Sequence, residues 1–142
     1  MAELTDDVKT LLDEPHLAHF VTLMKDGSPQ ITPVWVTHDG THVIINTAEG
    51  RQKPRNLRRD PRVALSVVDK DNSQRYTQIR GNVVEMIGGE EAYESICDLS
   101  EKYAGHRNYP RREGEQRVIV KILPEHVQFS PGVRPQASSE RR

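Results

Sequence analysis

The sequence predicts a mainly β fold, a small antiparallel β-barrel of six or seven strands with one or two covering helices. Two Asp-Gly turns, at residues 26–27 and 39–40, separate short runs of alternating apolar and polar residues, which is typical of an antiparallel meander. Further strand-like runs follow in the second half of the chain, and two longer segments have a clear helical period. With 142 residues, the chain is expected to form one domain over residues 1–130.

A first helix is predicted near the N-terminus. Thr5 can cap this helix, and Val8, Leu11 and Leu12 share one face because residues three and four apart lie on the same side. The helix is expected to end before Pro15. The strands come next, separated by turn residues. They are predicted at residues 18–24, 29–36, 42–47, 63–68, 74–87 and 117–123, with a short last strand at 127–129.

Two glycines have predicted structural roles. Gly81 lies inside the longest strand and is expected to mark a bulge or a sharp bend. Gly105 is expected to end a second amphipathic helix, whose buried stripe includes Cys97. The connection at residues 105–114 is polar, and residues 131–142, rich in Pro, Ser and Arg, are predicted to be a disordered tail.

Composition excludes several classes of function. The formal net charge is -1, and the cations are not interleaved with aromatic residues, so no nucleic-acid partner is expected. The single cysteine excludes an intramolecular disulfide, and no Cys/His cluster has zinc spacing. No export signal and no membrane-spanning run is found, which predicts a cytoplasmic protein. Because the apolar content is only 35%, burial against a second copy is expected, giving a homodimer.

The most informative segment is strongly basic. Residues 51–62 contain six positive charges and one negative charge, and they follow the predicted strand at 42–47. A strand that leads into a short helix offers free backbone N–H groups and cationic side chains to an anion. We therefore predict a cradle for a phosphate or a polycarboxylate, with a solvated basic turn as the alternative.

Motifs for protein-based catalysis are absent from the sequence. No G-x-S-x-G, H-E-x-x-H, Walker or G-x-G-x-x-G motif occurs, and the six histidines are scattered singly. We expect these histidines to be surface or capping residues rather than metal ligands. If the protein is an enzyme, a bound cofactor is expected to carry the chemistry.

Three stretches together resemble a known family. They are residues 26–35, with G-x-P followed by P-V-W, residues 45–61, with R-x-K-x-R-N-L-x-R-D-P, and residues 76–81. This combination resembles the pyridoxamine 5′-phosphate oxidase-like superfamily of split β-barrels, which bind flavin mononucleotide (FMN) or related cofactors. Within it, the chain looks most like the oxidoreductases that depend on coenzyme F420, a deazaflavin.

The resemblance implies where the cofactor lies. In such proteins two barrels pair, and the flat tricyclic ring occupies a groove at their interface. The resemblance assigns the ring wall to Gln30, Thr32, Pro33, Val34 and Trp35. It assigns the ribityl and phosphate portion to Asn46, Thr47, Arg51 and Lys53, with Arg55 and Asn56 close behind. Further contacts, to an anionic tail or the partner chain, are expected from Arg58, Arg59, Tyr76, Gln78, Tyr109 and Arg117.

The implied activity is hydride transfer from reduced F420 to a small electron-poor acceptor. The surplus of cations beyond a phosphate site favours F420, because its oligoglutamate tail adds carboxylates that FMN lacks. Candidate donors to the acceptor are Tyr109, Arg111 and Arg117. Two alternatives stay open, an FMN-binding oxidoreductase of the same fold and a non-catalytic protein that binds a cofactor or a tetrapyrrole.

Overall fold

The computed structural model describes residues 2–132, which form one antiparallel sheet with three helices packed on it. The helices are α1 (Asp6–Asp13), α2 (Gln52–Arg59) and α3 (Glu90–Ala104). The strands are β1 (Ala18–Leu23), β2 (Pro29–Val34), β3 (Thr37–His38), β4 (Val43–Ala48), β5 (Arg62–Asp69), β6 (Asn72–Ile87) and β7 (Arg117–Pro131). Their order in the sheet is β2-β1-β5-β6-β7-β4-β3.

The sheet curls on itself because its two edge strands are consecutive in the chain. Strand β2 ends at Val34 and β3 begins at Thr37, although they lie at opposite edges of the sheet. Three residue steps span at most about 11 Å, so the edges must approach each other closely. They do not pair, and the result is an open, curled sheet consistent with a split barrel.

The core fills the concave face of this sheet. Phe20, Ile45, Ile79 and Ile122 are buried there from four different strands. Helix α1 adds the apolar face that its sequence predicts, and Thr5 caps it by accepting a hydrogen bond from the Val8 N–H at 3.4 Å. Burial from both the strands and α1 therefore stabilises the curled shape.

The long β6–β7 pair contains the predicted bulge. The register shifts between Arg80 and Gly81, and a Cβ atom at Gly81 would lie 2.2 Å from the Leu123 carbonyl oxygen. Only glycine allows so close a backbone approach. The prediction of two separate strands at 117–123 and 127–129 is wrong, because β7 continues through Pro124 at this irregularity, where the ladder needs no proline N–H.

Other boundaries also differ from the prediction. The basic segment forms the predicted short helix, α2, with two turns, so residues 2–132 contain three helices instead of the one or two covering helices expected. The predicted loop at residues 69–73 is a tight turn between β5 and β6. Of the predicted tail, Pro131 is the last residue of β7, and residues 133–142 lie outside the described part. None of the three helices combines the length and apolar character needed to cross a membrane.

Candidate ligand-binding site

A cavity of about 300 Å³ opens where β2, β4, α2 and the segment before β7 meet. One side of it is aromatic and apolar, and the other is cationic. Such a combination suits an amphipathic ligand with a flat ring and an anionic group. The lining residues are Leu17, Pro33, Val34, Trp35, Asn46, Thr47, Arg51, Lys53, Ile96, Tyr109 and Arg117.

Trp35 forms the aromatic side of the cavity. Its ring stacks on Tyr103 with 5.3 Å between centroids and 9° between planes. Tyr109 meets it edge-on, at 6.3 Å and 74°. Contacts on two sides restrict the rotation of the indole, so this wall is held ready for a flat ligand.

The backbone beside Trp35 joins the two edge strands β2 and β3. Side chains of α3 hold it in place. The Val36 N–H donates to the Tyr103 hydroxyl at 3.1 Å, and Lys102 Nζ donates to the Val36 carbonyl at 2.7 Å. Lys102 also contacts the Leu12 carbonyl oxygen. Burial lowers the pKa of Lys102 to about 8 and raises the pKa of Tyr103. These two side chains fix the aromatic wall.

Three cations form the opposite side of the cavity. Lys53 Nζ donates to Thr32 Oγ1 at 3.2 Å, and Arg51 is half-exposed. Arg117 is buried, with its Nε donating to Asn46 Oδ1 at 2.9 Å. Burial lowers the pKa of Arg117 and, together with the charge of Arg51, the pKa of Lys53. The arginine stays charged at any physiological pH, so this side attracts anions.

Two buried polar atoms of the lining have no hydrogen-bond partner. Among residues 2–132, Thr47 Oγ1 and Arg117 Nη1 are the buried side-chain nitrogen or oxygen atoms in this condition. Thr47 is fully buried and Arg117 is 7% exposed. Burying an unsatisfied donor costs about 1–3 kcal/mol, so two such atoms beside one cavity point to a ligand that bonds to them.

Several residues that the resemblance assigns to the cofactor do line this cavity. They are Pro33, Val34, Trp35, Asn46, Thr47, Arg51, Lys53, Tyr109 and Arg117. Thr32 lies just behind Lys53. The Asn46 amide is already occupied, because its Nδ2 donates to the Ala92 carbonyl at 2.9 Å while its oxygen accepts from Arg117. Asn46 therefore orients Arg117 and does not offer the ligand a free amide.

Two assigned residues lie elsewhere, in a polar network under α2. Asn56 is fully buried and donates to Thr22 Oγ1 at 2.9 Å. The Thr22 hydroxyl in turn donates to Gln30 Oε1 at 3.2 Å. Neither Asn56 nor Gln30 is among the residues that line the cavity. Through Thr22, their side chains join α2 to β1 and β2. They therefore fix the position of α2 and of the cations on it without contacting the ligand.

The three outer arginines of the basic segment already have partners. Arg58 forms a bidentate pair with Glu49 at 2.7 and 2.6 Å. Arg55 donates to the Gly50 carbonyl at 2.8 Å, and Arg59 donates to the Leu23 carbonyl at 2.9 Å. Tyr76 and Gln78, on β6, also lie outside the cavity lining. Of the six cations of the basic segment, two therefore face the cavity, three brace α2, and Arg62 pairs with Asp60.

The sequence did not mark every lining or supporting residue. Leu17 and Ile96 line the cavity, and Lys102 and Tyr103 support Trp35. The helical period of residues 93–104 indicates only that Tyr103 or Ala104 ends the buried stripe of α3. The sequence contains no signal for Lys102, because a lysine next to the buried stripe of an amphipathic helix is ordinarily exposed.

One histidine differs from the prediction of surface or capping roles. His16 is 4% exposed, and its ring nitrogen lies 2.8 Å from Glu14 Oε1, close to Asp69. These three residues have metal-like spacing. However, Arg75 bonds both carboxylates, at 2.7 and 2.8 Å, and the Lys70 N–H donates to the other ring nitrogen. The cluster is a partly buried ion-pair network that joins the end of α1 to the β5–β6 hairpin.

Known proteins match this chain over most of its length. Residues 4–130 match the family model described as pyridoxamine 5′-phosphate oxidase. The chain is 31% identical over 126 residues to an F420H(2)-dependent biliverdin reductase of Mycobacterium tuberculosis (strain CDC 1551 / Oshkosh), covering 87% of this chain and 86% of that protein.

Solved structures show the same fold. An F420 reductase superposes with a TM-score of 0.75 at 31% identity, covering 84% of this chain and 94% of that one. A putative pyridoxamine 5′-phosphate oxidase of Listeria innocua superposes with a TM-score of 0.68 at 20% identity, covering 87% and 95%. The resemblance drawn from the motifs is thereby confirmed, and the chain belongs to the pyridoxamine 5′-phosphate oxidase family of split β-barrels.

Proposed function

We propose that this protein is a reductase that uses reduced coenzyme F420 to transfer a hydride to a small electron-poor organic acceptor. The observation that carries the proposal is the cavity itself, which sets a stacked tryptophan opposite three cations and two unpaired buried polar atoms. Two relatives named for F420-dependent reduction, each 31% identical over most of the chain, support the choice of cofactor.

The residues present fit a phosphorylated ring cofactor. Trp35 and the adjoining Pro33 and Val34 give a flat apolar surface for the ring. Arg51, Lys53 and Arg117 suit a phosphate, because charge-assisted hydrogen bonds from cations are the strong ones. Thr47 can donate its unpaired hydroxyl to the same group. When bound, the reduced deazaflavin supplies the hydride.

The protein contributes binding, orientation and charge stabilisation. The aromatic wall orients the ring and excludes water from one side of it. Of the three candidate donors to the acceptor, Tyr109 and Arg117 line the cavity, and the Arg117 guanidinium lies 5.3 Å from the Tyr109 ring centre. Arg111 instead stacks on Tyr93 outside this cavity. We assign Tyr109 as the donor and Arg117 as the cation that stabilises negative charge developing on the acceptor.

A second copy of the chain is proposed to complete the cavity. Ile31 is 62% exposed on the convex face, directly paired with Val21, which in turn pairs with Ala64. Leu17, four residues before Val21 of this apolar row, is 46% exposed and lines the cavity. A homodimer seated here would bury on the order of 2,000 Å² or more in total, as obligate pairs do.

Sedimentation of two matched variants tests the homodimer. Ile31→Lys is expected to give monomers with weakened cofactor binding, because a desolvated charge at an interface is costly. Val84→Lys is the control, since Val84 is 51% exposed on β6 but does not belong to the apolar row. A wild-type chain that is monomeric at micromolar concentration and still binds cofactor tightly would contradict the proposal.

FMN is the second candidate, and the pairing of Arg55, Arg58 and Arg59 favours it. These arginines would have to give up intramolecular partners to hold an oligoglutamate tail, whereas one phosphate needs only the cations of the cavity. Titration with F420 and with FMN decides between the two, followed through the fluorescence of Trp35, the single tryptophan of the chain. Tighter binding of F420, with oxidation of reduced F420 by an added acceptor, supports the deazaflavin. Equal or tighter binding of FMN, or a purified protein with the absorbance spectrum of a flavin, overturns it.

A further inference from the structure

A second cavity, of about 470 Å³, lies beside the first and shares Arg117 with it. It is enclosed by the N-terminal end of α3 and by the chain that leads into β7. Its other lining residues are Glu49, Gly88, Gly89, Glu90, Tyr93, Arg111, Arg112, Glu115 and Gln116. None of these residues was assigned to the cofactor by the family resemblance.

The helix end at this cavity presents backbone N–H groups. Helix α3 has 15 residues, and its N-cap, Gly89, has no side chain that could cap the first turn. The first N–H groups of a helix have no carbonyl partner within it, and the helix dipole adds partial positive charge there. Gly88 and Gly89 leave this backbone open to the cavity.

Arg117 gives independent support for an anion at this place. Its Nε faces Asn46, whereas Nη1 is directed towards Glu115, which lines the second cavity and not the first. Nη1 is buried without a hydrogen-bond partner within residues 2–132, since Glu115 Oε2 lies 3.5 Å away. A charge-assisted hydrogen bond is normally about 2.7–2.9 Å long. The buried guanidinium therefore has unused bonding capacity on this side.

The charges around the cavity leave a positive excess. The carboxylate of Glu115 is shared by Arg51, Arg112 and Arg117 at 3.7, 3.7 and 3.5 Å, so three cations surround one anion. The other two acidic side chains of the lining are each neutralised, Glu49 by Arg58 and Glu90 by Arg111. A further anion can therefore enter without meeting an unpaired carboxylate.

We infer that this second cavity is a carboxylate-binding site, filled by an anionic arm of the ligand whose ring occupies the first cavity. The inference rests on the proposed function for the identity of that ligand. Because Arg117 borders both cavities, its guanidinium can contact a ligand in the first cavity and an arm of that ligand in the second. A carboxylate suits the planar guanidinium and the helix N–H groups together. This carboxylate belongs either to the acceptor or to the oligoglutamate tail of the cofactor.

Substitution of Gly88 provides a test with a matched control. A Cβ atom at Gly88 would have its nearest neighbour, the Arg117 carbonyl oxygen, at 3.8 Å, which is ordinary contact. Gly88→Asp adds a negative charge to the cavity wall, and Gly88→Asn adds the same shape without the charge. The probe is γ-linked triglutamate, titrated by calorimetry and by the amide resonances of Gly89 and Glu90.

Gly88→Asp is expected to bind the probe about tenfold more weakly than Gly88→Asn, which has the same shape, because like charges at close range repel. Equal binding by these two variants, or no change in the amide resonances of Gly89 and Glu90, overturns the site. This measurement needs no deazaflavin. If the probe binds in a Gly88-dependent manner and F420 does not bind, the carboxylate site stands while the proposed function fails.

Two further comparisons identify the source of the arm. If it is the cofactor tail, Gly88→Asp weakens binding of full-length F420 about tenfold and leaves the tail-less deazaflavin unaffected. If it is the acceptor, the same variant raises KM for a carboxylate-bearing acceptor but not for its methyl ester. If neither ligand responds to Gly88→Asp, the claim that an arm of the bound ligand fills the cavity is wrong.

Discussion

Replacing Thr47 by valine should change stability and ligand binding in opposite directions. The Thr47 hydroxyl is fully buried and has no partner within the described chain, so the free protein bears its desolvation cost. Valine has the same branched shape and suits a central strand such as β4. Removing a buried unsatisfied hydroxyl should therefore raise the free energy of unfolding by about 1–2 kcal/mol. For a domain of this size the melting temperature should rise by about 2–5 °C.

Cofactor binding should weaken in the same variant. A hydrogen bond to a charged group such as a phosphate contributes about 1.5–3 kcal/mol, so the dissociation constant should rise about tenfold to a hundredfold. Urea unfolding without ligand measures the first effect, and titration of the folded protein with F420 measures the second. If Thr47 only stabilised the fold, its replacement would change the free energy of unfolding and leave the affinity for ligand unchanged.

Thr77→Val is the matched control for Thr47→Val. Thr77 is equally buried, but its hydroxyl donates to the Gln128 carbonyl at 2.8 Å, and neither residue lines the cavity. This variant should lose about 1 kcal/mol of stability and keep its affinity for ligand. The reasoning is refuted if Thr47→Val destabilises the free protein as Thr77→Val does, or if it leaves ligand binding unchanged.

Three further changes test separate parts of the structure. Lys53→Ala should weaken cofactor binding by about 1.5–3 kcal/mol, and Arg58→Ala by less than about 1 kcal/mol in a salt-dependent way, in titrations at two ionic strengths. Tyr103→Phe keeps the stack on Trp35 but leaves the Val36 N–H unpaired, so Trp35 fluorescence should shift and ring affinity fall, while affinity for inorganic phosphate stays constant. Burial would raise the pKa of Asp39, but N–H groups of His42 and Thr41 lower it to about 2, so its stabilisation is present above pH 4 and lost as pH falls through 2. Asp39→Asn should remove about 1–2 kcal/mol of that acid-dependent stability, measured by urea unfolding between about pH 2 and 6.

Local signals in the sequence were sufficient for most of the fold. Asp-Gly turns mark the meander, and Gly81 marks a bulge because no other residue fits beside the Leu123 carbonyl. The end of the sheet was harder to predict. Pro124 interrupts the strand pattern, yet β7 continues through it because the bulge leaves that position without a ladder bond.

The candidate site was predictable only where charge or aromaticity acts directly. Arg51 and Lys53 face the cavity as the basic motif suggested, but Arg58 in the same motif is bound to Glu49. A sequence shows that a residue carries a charge, but the partner of that charge depends on the tertiary fold. For the same reason the sequence does not predict that Lys102 supports the backbone beside Trp35, because the two residues are 67 positions apart.

The two unpaired polar atoms support one ligand better than two independent packing defects. Arg117 pairs with Ala48 across β7 and β4, so the side chains of Arg117 and Ala48 lie on one face of the sheet. The side chain of Thr47, the residue before Ala48, lies on the opposite face. Helix α3 covers the face that bears Asn46 and Arg117, whereas Thr47 faces the interior of the barrel. Two unrelated defects would have no reason to meet at the same strand end. Both residues nevertheless line one cavity, so one ligand could satisfy both atoms, with its phosphate bonded to Thr47 and its carboxylate arm, in the second cavity, bonded to Arg117 Nη1.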